Sequence, residues 1–216
     1  MPELVRLPLT TTEGRPLVHK FFRHPESASG LLIILPGNLY GVDGALLYYP
    51  SLILGRRGWD TLAVTYGFQS TMRDTWADAM PTTLAECQAA LRAALAQRSY
   101  PRIGLLGKSL GSSLAAQLCI SKPELASARA VYLTPLVGSP LFDTLFTQTT
   151  QPAYFALGTA DPLCDLGALE ELRSARPFEL TLIDGADHSL YVEGDLEASF
   201  AALRRVTSEV VAFLTG

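Results

Sequence analysis

The stretch Gly107-Lys108-Ser109-Leu110-Gly111 decides the fold of this chain. It follows the mostly apolar run 102–106, which predicts a buried strand, and a leucine repeats at every fourth position from residue 110, which predicts a helix. Gly-x-Ser-x-Gly between a strand and a helix is the pattern of a nucleophile elbow, a sharp turn that holds the serine hydroxyl above the sheet. A side chain at either glycine would collide with the neighbouring strand or helix. Ser109 is therefore the candidate nucleophile.

A second pattern overlaps the first, because Gly107-Lys108-Ser109 also matches the end of a phosphate-binding loop. That loop requires a glycine at position 102, where this chain has Arg102, and a flexible coil before Gly107. Residues 103–106 instead look like the interior of a strand, whose amides cannot wrap around a phosphate. The sequence therefore disfavours nucleotide binding, and we expect the Lys108 side chain to reach solvent.

Composition predicts a single globular domain over residues 1–216. Hydrophobic residues make up 48% of the chain and charged residues 18%, which suits a protein with a substantial core. The net charge of -4 argues against nucleic acid or an anionic membrane as the main partner, since both require clustered Lys and Arg. No run reaches the roughly 18 apolar residues of a membrane span, and the first residues lack the apolar core of a signal peptide.

Cysteine usage indicates the compartment. Cys87, Cys119 and Cys164 are scattered and odd in number, which predicts reduced thiols in a cytoplasmic protein. No pairing of Cys and His has the spacing of a metal site, so we expect neither a metal nor an organic cofactor.

Strands and helices alternate, which predicts an α/β fold: a mostly parallel sheet with helices on both faces. The predicted strands cover residues 17–23, 31–35, 61–66, 102–106, 130–133, 153–157 and 180–183. Helices are predicted over residues 45–57, from the capping box that begins at Thr83, after the elbow, and along an apolar stripe from Leu196 through Phe200 to Phe213. Ligands of such sheets bind beyond the carboxyl ends of the strands, so the loops found there should surround one site.

Four of these loops hold residues that could act together in one reaction. In chain order they hold Pro36-Gly37-Asn38-Leu39, Ser109, Asp161 and the stretch 184–188, which ends at His188. The order Ser, Asp, His resembles that of the catalytic residues in the α/β-hydrolase family. The resemblance runs from about residue 17 to residue 214.

Two further stretches refine the resemblance. The stretch 57–64, Arg-Gly-Trp-Asp-Thr-Leu-Ala-Val, looks like the family's helix-to-strand passage before the elbow. The stretch Gly185-Ala186-Asp187-His188-Ser189 is similar to that of small members near the dienelactone-hydrolase-like group. Many relatives carry a helical cap where this chain has only residues 137–151. The resemblance therefore implies a hydrolase without a substantial cap domain, whose site is small or open.

The roles follow from what a serine needs. Its hydroxyl must lose a proton as it attacks, so His188 would take that proton and return it to the leaving group. Asp161 would hold the imidazole in the required tautomer. The backbone amides of Leu110 and Asn38 would stabilise the oxyanion. We therefore expect hydrolysis of small carboxylic esters or thioesters through an acyl-enzyme on Ser109.

Other carboxylates compete with Asp161. Asp143 lies on an earlier loop and could supply the acid, as in some family members. We expect Asp165 to cap the helix that follows it, and Asp184 and Asp187 to form turns, because Asp readily bonds its own backbone.

The sequence indicates the substrate less clearly than the type of reaction. Leu39, Tyr40, Phe68 and Leu136 follow strand ends and are candidates for an apolar substrate pocket, although each suits ordinary packing under a loop equally well. Two other functions stay open: a catalytically idle binding or scaffold protein on the same fold, and a peptidase. The expected partner is a small-molecule ester or thioester, with no nucleic acid or membrane. The oligomeric state is not fixed by the sequence.

Overall fold

A mostly parallel sheet organises the molecule. The computed structural model describes residues 2–10, 14, 16–68 and 76–216, with only the backbone for 76–79. The described strands are β1 (Glu3–Val5), β2 (Leu9–Thr10), β3 (Pro16–Leu17), β4 (Lys20–Arg23), β5 (Gly30–Leu35), β6 (Trp59–Ala63), β7 (Ile103–Lys108), β8 (Arg129–Leu133), β9 (Ala153–Gly158) and β10 (Glu179–Ile183).

Helices follow most of the parallel strands. The described α-helices are α1 (Ala45–Arg56), α2 (Trp76–Leu95), α3 (Leu110–Ser121), α4 (Pro140–Gln148), α5 (Leu166–Ala175) and α6 (Leu196–Thr215). In the part of the chain that the structure describes, none of them is long and apolar enough to cross a membrane.

The strand order of the main sheet is β1-β4-β6-β5-β7-β8-β9-β10. From β6 to β10 all neighbours are parallel, whereas β1 and β4 run antiparallel at one edge, and β2 pairs with β3 in a separate ribbon. The predicted mostly parallel sheet is therefore confirmed. Leu35 pairs with Gly107, and Gly107 pairs with Tyr132, so β5, β7 and β8 end at nearly the same level. The loops that follow them emerge side by side.

Both faces of the sheet are buried. In β5, Leu31, Ile33 and Leu35 pack on the face that α2 to α5 cover, while Leu32 and Ile34 pack on the face of α1 and α6. A strand buried on both faces has a continuous apolar sequence, which is why β5 shows no alternation. Burying each such aliphatic side chain contributes about 1.5–3 kcal/mol.

The segment between β8 and β9 forms α4, which belongs to the core and is not a cap. Phe142 and Phe146 of α4 are buried, and both rings contact Tyr132 of β8 and Phe155 of β9. Because α4 packs against a face of the sheet, it does not cover the carboxyl ends of the strands, where Ser109 lies. The expected lack of a substantial cap is confirmed.

Three predicted elements have wrong boundaries. The capping box at Thr83 does not begin a helix, because α2 already begins at Trp76 and Thr83 lies buried within it. The Glu86 carboxylate accepts a hydrogen bond from the amide of Gly67 at 2.8 Å, so it contacts a neighbouring segment and not the start of its own helix.

The predicted strand 17–23 is also too long. The chain splits there into β3, which pairs with β2, and β4, which pairs with β6. At the break, Nδ1 of His19 accepts a hydrogen bond from the amide of Thr65 at 3.1 Å, and the Thr65 hydroxyl donates to the carbonyl of Val18. These contacts with side chains replace the backbone ladder, so β6 ends at Ala63 and not at residue 66.

Candidate active site

Ser109 occupies a strained turn between β7 and α3. Its backbone has φ 52° and ψ -117°, a region that residues with a side chain rarely adopt and that costs of order 1–3 kcal/mol. Its amide donates a 2.9 Å hydrogen bond to the carbonyl of Leu133 at the end of β8. The turn thus places Ser109 at the carboxyl edge of the sheet, where the other loops meet.

The two glycines of the elbow are required by close packing, as predicted. A Cβ at Gly107 would lie 2.5 Å from the carbonyl oxygen of Gly111 in α3. A Cβ at Gly111 would overlap the backbone of Leu35 in β5. Any side chain at either position would therefore push α3 away from the sheet.

The loop after β5 lies directly beside the elbow. A Cβ at Gly37 would stand 3.5 Å from that of Ser109. Both ends of the loop are held: the Tyr66 hydroxyl donates to the carbonyl of Pro36 at 2.9 Å, and the Tyr40 hydroxyl accepts from the amide of Leu46 at 2.9 Å. Asn38 lies in this loop, within a residue of the contact with the elbow.

Asp161 and His188 meet above the sheet. Nδ1 of His188 lies 2.8 Å from Oδ2 of Asp161, whose carboxylate is fully buried. The other carboxylate oxygen accepts from the amide of Leu163 at 2.9 Å, which fixes its orientation. The loops that carry the pair touch closely, since a Cβ at Gly158 would overlap the backbone of Ala186.

The loop of His188 is shaped by Asp187. One carboxylate oxygen of Asp187 accepts from the amides of Ser189 at 2.7 Å and Tyr191 at 2.9 Å, and Leu190 adopts φ 57° within the turn. The expected turn-forming role of Asp187 is confirmed. Asp184 lies in the turn after β10, but its carboxylate accepts a 3.0 Å hydrogen bond from the hydroxyl of Thr159 in the neighbouring loop after β9.

The remaining rival carboxylates have other partners. Asp165 caps α5, accepting from the amides of Gly167 and Ala168, as expected. Asp143 accepts a 3.0 Å hydrogen bond from the amide of Gly138, and burial raises the pKa of its carboxyl. Among the described contacts, the carboxylate on His188 is that of Asp161.

The expectation for Lys108 is wrong. Its side chain is only 1% exposed. The ammonium donates to the backbone carbonyl of His188 at 3.0 Å and to the hydroxyl of Thr134 at 3.1 Å, and it lies 4.6 Å from the centre of the Tyr40 ring. Burial lowers the pKa of Lys108 to about 8, although the carboxylates of Asp161 and Asp187 partly oppose this shift. No local pattern signals this role, because every partner comes from a distant loop.

A cavity of about 160 Å³ opens beside the loop of His188. Ten side chains from the loop after β5, α1, the loop after β10 and α6 line it: Tyr40, Ala45, Leu46, Ser189, Leu190, Tyr191, Leu196, Ser199, Phe200 and Leu203. The lining is mostly apolar. It includes Tyr40, from the loop of Asn38, and Ser189, which follows His188.

The predicted pocket residues are scattered. Of the four, Tyr40 lines this cavity. Leu39 is 97% exposed, Phe68 stacks on Tyr66 against the core, and Leu136 is half-buried. The sequence missed the cavity because its apolar residues on α6 were assigned to the buried stripe of that helix.

In the described part of the chain, no three His, Cys, Asp or Glu side chains are grouped to hold a metal ion.

A search of curated proteins finds no match. A family model described as an alpha/beta hydrolase domain matches residues 51–215.

Solved structures resemble the whole chain. An α/β serine hydrolase without a lid from Xanthomonas campestris is 15% identical, with 100% of this chain and 96% of that chain covered and a TM-score of 0.72. A dienelactone hydrolase from Anabaena variabilis is 16% identical, with 99% of each chain covered and a TM-score of 0.70. An esterase from Pyrococcus furiosus is 17% identical, with 99% and 92% covered and a TM-score of 0.70. At these identities the likeness shows the fold alone.

Proposed function

The chain belongs to the α/β-hydrolase family, and on that premise we propose that it is a serine hydrolase that cleaves small carboxylic esters or thioesters through an acyl-enzyme on Ser109. The observation that carries the proposal is the 2.8 Å contact between His188 and Asp161, at the same edge of the sheet as the elbow. A buried carboxylate on an imidazole beside a strained serine is the arrangement that activates a hydroxyl.

In the first half of the reaction, Oγ of Ser109 attacks the carbonyl carbon of the ester. Nδ1 of His188 donates to Asp161, so Nε2 is the nitrogen that accepts the serine proton. The tetrahedral intermediate then expels the alcohol or thiol, which takes this proton from the imidazolium. Water attacks the acyl-enzyme in the second half, with His188 again acting as base and then as acid.

The developing oxyanion requires donors that are already in place. The amide of Leu110 stands at the amino end of α3, where helical N–H groups lack partners within the helix. Asn38 lies in the held loop whose Gly37 approaches Ser109, so its amide is the second proposed donor. Loss of one such donor typically raises the barrier by about 2.7–4 kcal/mol.

The cavity beside the loop of His188 suggests which substrates fit. Its wall is mostly apolar, and Tyr191 and Phe200 expose ring surface at its rim. We propose that it receives the apolar part of a small ester, since none of the described side chains that line it carries a charge to bind an anionic group. We also propose a cytoplasmic location, which the free thiols of Cys87, Cys119 and Cys164 support.

The test is a panel of p-nitrophenyl esters and matching thioesters with acetyl, butyryl and octanoyl chains. Turnover by the wild-type protein, lost in Ser109→Ala, is the expected result. The proposal fails if no member of the panel is hydrolysed, or if Ser109→Ala retains the wild-type rate. A protein that binds these esters without turnover would instead support the idle binding function.

A further inference from the structure

A buried ammonium group lies next to the candidate nucleophile without serving in the chemistry. Lys108 immediately precedes Ser109, and the two polar partners described for its Nζ are neutral oxygens, the Thr134 hydroxyl and the His188 carbonyl. Removing an ammonium from water is costly unless hydrogen bonds and nearby charge compensate. A cation kept at this cost next to the site calls for a physical reason.

The contacts of Lys108 connect three loops at the carboxyl edge of the sheet. Tyr40 comes from the loop after β5, Thr134 follows β8, and His188 follows β10. Thr134 is itself fully buried, so water does not compete for its hydroxyl. One side chain on the elbow therefore holds the position of loops that are far apart in sequence.

His188 is held at two points. The Asp161 carboxylate binds the imidazole at Nδ1, which sets the rotation of the ring. The Lys108 ammonium binds the backbone carbonyl of the same residue, which sets the distance between its loop and the elbow. A carboxylate alone cannot fix that distance, because Asp161 belongs to the neighbouring loop and not to the elbow.

We propose that Lys108 is a positioning residue for the hydrolase reaction: through the His188 carbonyl it holds the imidazole at working distance from Ser109. The inference rests on the proposed function, since it assigns a role within that chemistry. Among the contacts described for Lys108, none is with the Ser109 hydroxyl or the His188 imidazole. Its contribution is geometric, and a displacement of about 1 Å in a reacting group can cost roughly 100-fold in rate.

The protonation of Lys108 gives a signature that ordinary packing lacks. The groups around the ammonium are the Asp161 and Asp187 carboxylates, the His188 loop, the Thr134 hydroxyl and the Tyr40 ring. Burial lowers the pKa of Lys108 to about 8, and burial raises the pKa of Tyr40 above its usual value of 10.0. Above pH 8 the amine loses its charge, which weakens both hydrogen bonds and its attraction to the Tyr40 ring, so the rate should fall before Tyr40 ionises.

The test compares Lys108→Met with Lys122→Met, which removes the same charge after the far end of α3. On a short aryl ester we expect Lys108→Met to lose about 10- to 100-fold in kcat with KM within about 3-fold, because the substrate still binds but the base is misplaced. Its kcat should also lack the decline between pH 7 and 10 that we expect of the wild type. Lys122→Met should behave as wild type in both respects.

Wild-type kcat and an unchanged alkaline decline in Lys108→Met would overturn the inference. If that variant does not fold, the pH dependence of fluorophosphonate labelling in the wild type decides: a labelling rate that does not fall between pH 7 and 10 contradicts it. Failure of the proposed function is distinguishable, because the wild type would then neither turn over esters nor be labelled at any pH.

Discussion

The Asp161 carboxylate, fully buried, binds Nδ1 of His188 at 2.8 Å. The two residues lie in the loops that follow the adjacent strands β9 and β10, and the pairing of Gly158 with Ile183 brings these loops to the same height. The contact therefore follows from sheet register, and it determines which ring nitrogen is available as a base in the proposed mechanism.

Asp161→Asn should reduce kcat on aryl esters by about 10³- to 10⁴-fold, because an amide can bind the ring in the wrong tautomer and does not stabilise the imidazolium. The matched control is Asp143→Asn, whose carboxylate binds the amide of Gly138. Steady-state kinetics of the two variants decides between the carboxylates. A large loss in Asp143→Asn, with Asp161→Asn near wild type, would reverse the assignment.

Gly111→Ala should destabilise the protein by at least about 2 kcal/mol, because the new methyl group overlaps the backbone of Leu35 and separates α3 from β5. Gly55→Ala in α1 is the control: among the described residues, no atom beyond its neighbours in the helix lies within 4 Å of the added Cβ, so stability should be unchanged or rise by up to about 1 kcal/mol. Urea unfolding measures both. Equal stability of the two variants would contradict the packing argument.

His19 should make the fold sensitive to acid. Its side chain is buried, Nδ1 accepts from the amide of Thr65, and burial lowers its pKa from the usual 6.5 to about 4. Since the folded state disfavours the proton, the stabilising contribution is complete above about pH 6.5 and is lost as pH falls toward 4. Between pH 7 and pH 4, the free energy of unfolding of the wild type should fall by about 2–4 kcal/mol more than that of His19→Asn.

The measurement for His19 is urea unfolding of both proteins at several pH values. The comparison uses the slope of the free energy of unfolding against pH. This slope excludes the effect of the smaller Asn side chain, which lowers stability equally at all pH values. Parallel curves for the two proteins would show that His19 does not account for acid sensitivity.

Phe200→Ser should raise KM for octanoyl esters about 5- to 10-fold and leave acetyl esters unaffected, because only a long chain reaches the apolar rim of the cavity. The Phe200 side chain is 56% exposed, so the fold should tolerate the change. Leu4→Ser, an exposed leucine on β1 at the other edge of the sheet, serves as control. A KM increase that is equal for all chain lengths would argue against this site for the acyl group.

The elbow could be predicted from sequence because its constraints are local. The two glycines, the strand before Ser109 and the helix after it lie within a few residues of one another, and the backbone contacts at Gly107 and Gly111 are those that the motif implies. The order Ser, Asp, His also indicated loops at one edge, since parallel strands end together.

The parts that sequence reasoning missed depend on distant partners. Lys108 bonds residues 26 and 80 positions away, so nothing near it distinguishes a buried ammonium from an exposed one. Thr83 shows the reverse case, in which a good local capping pattern is overridden by the bond between Glu86 and Gly67. Helical periodicity likewise placed Leu196 and Phe200 in the core, although both are exposed in the first turns of α6.

Incubation with a fluorophosphonate followed by intact mass measurement tests the central claim most directly, because the reagent reacts with a serine only when a base and oxyanion donors activate it. The wild-type protein should gain the mass of a single phosphonyl adduct, and Ser109→Ala should gain none. An unmodified wild type, or the same adduct on Ser109→Ala, would contradict the claim.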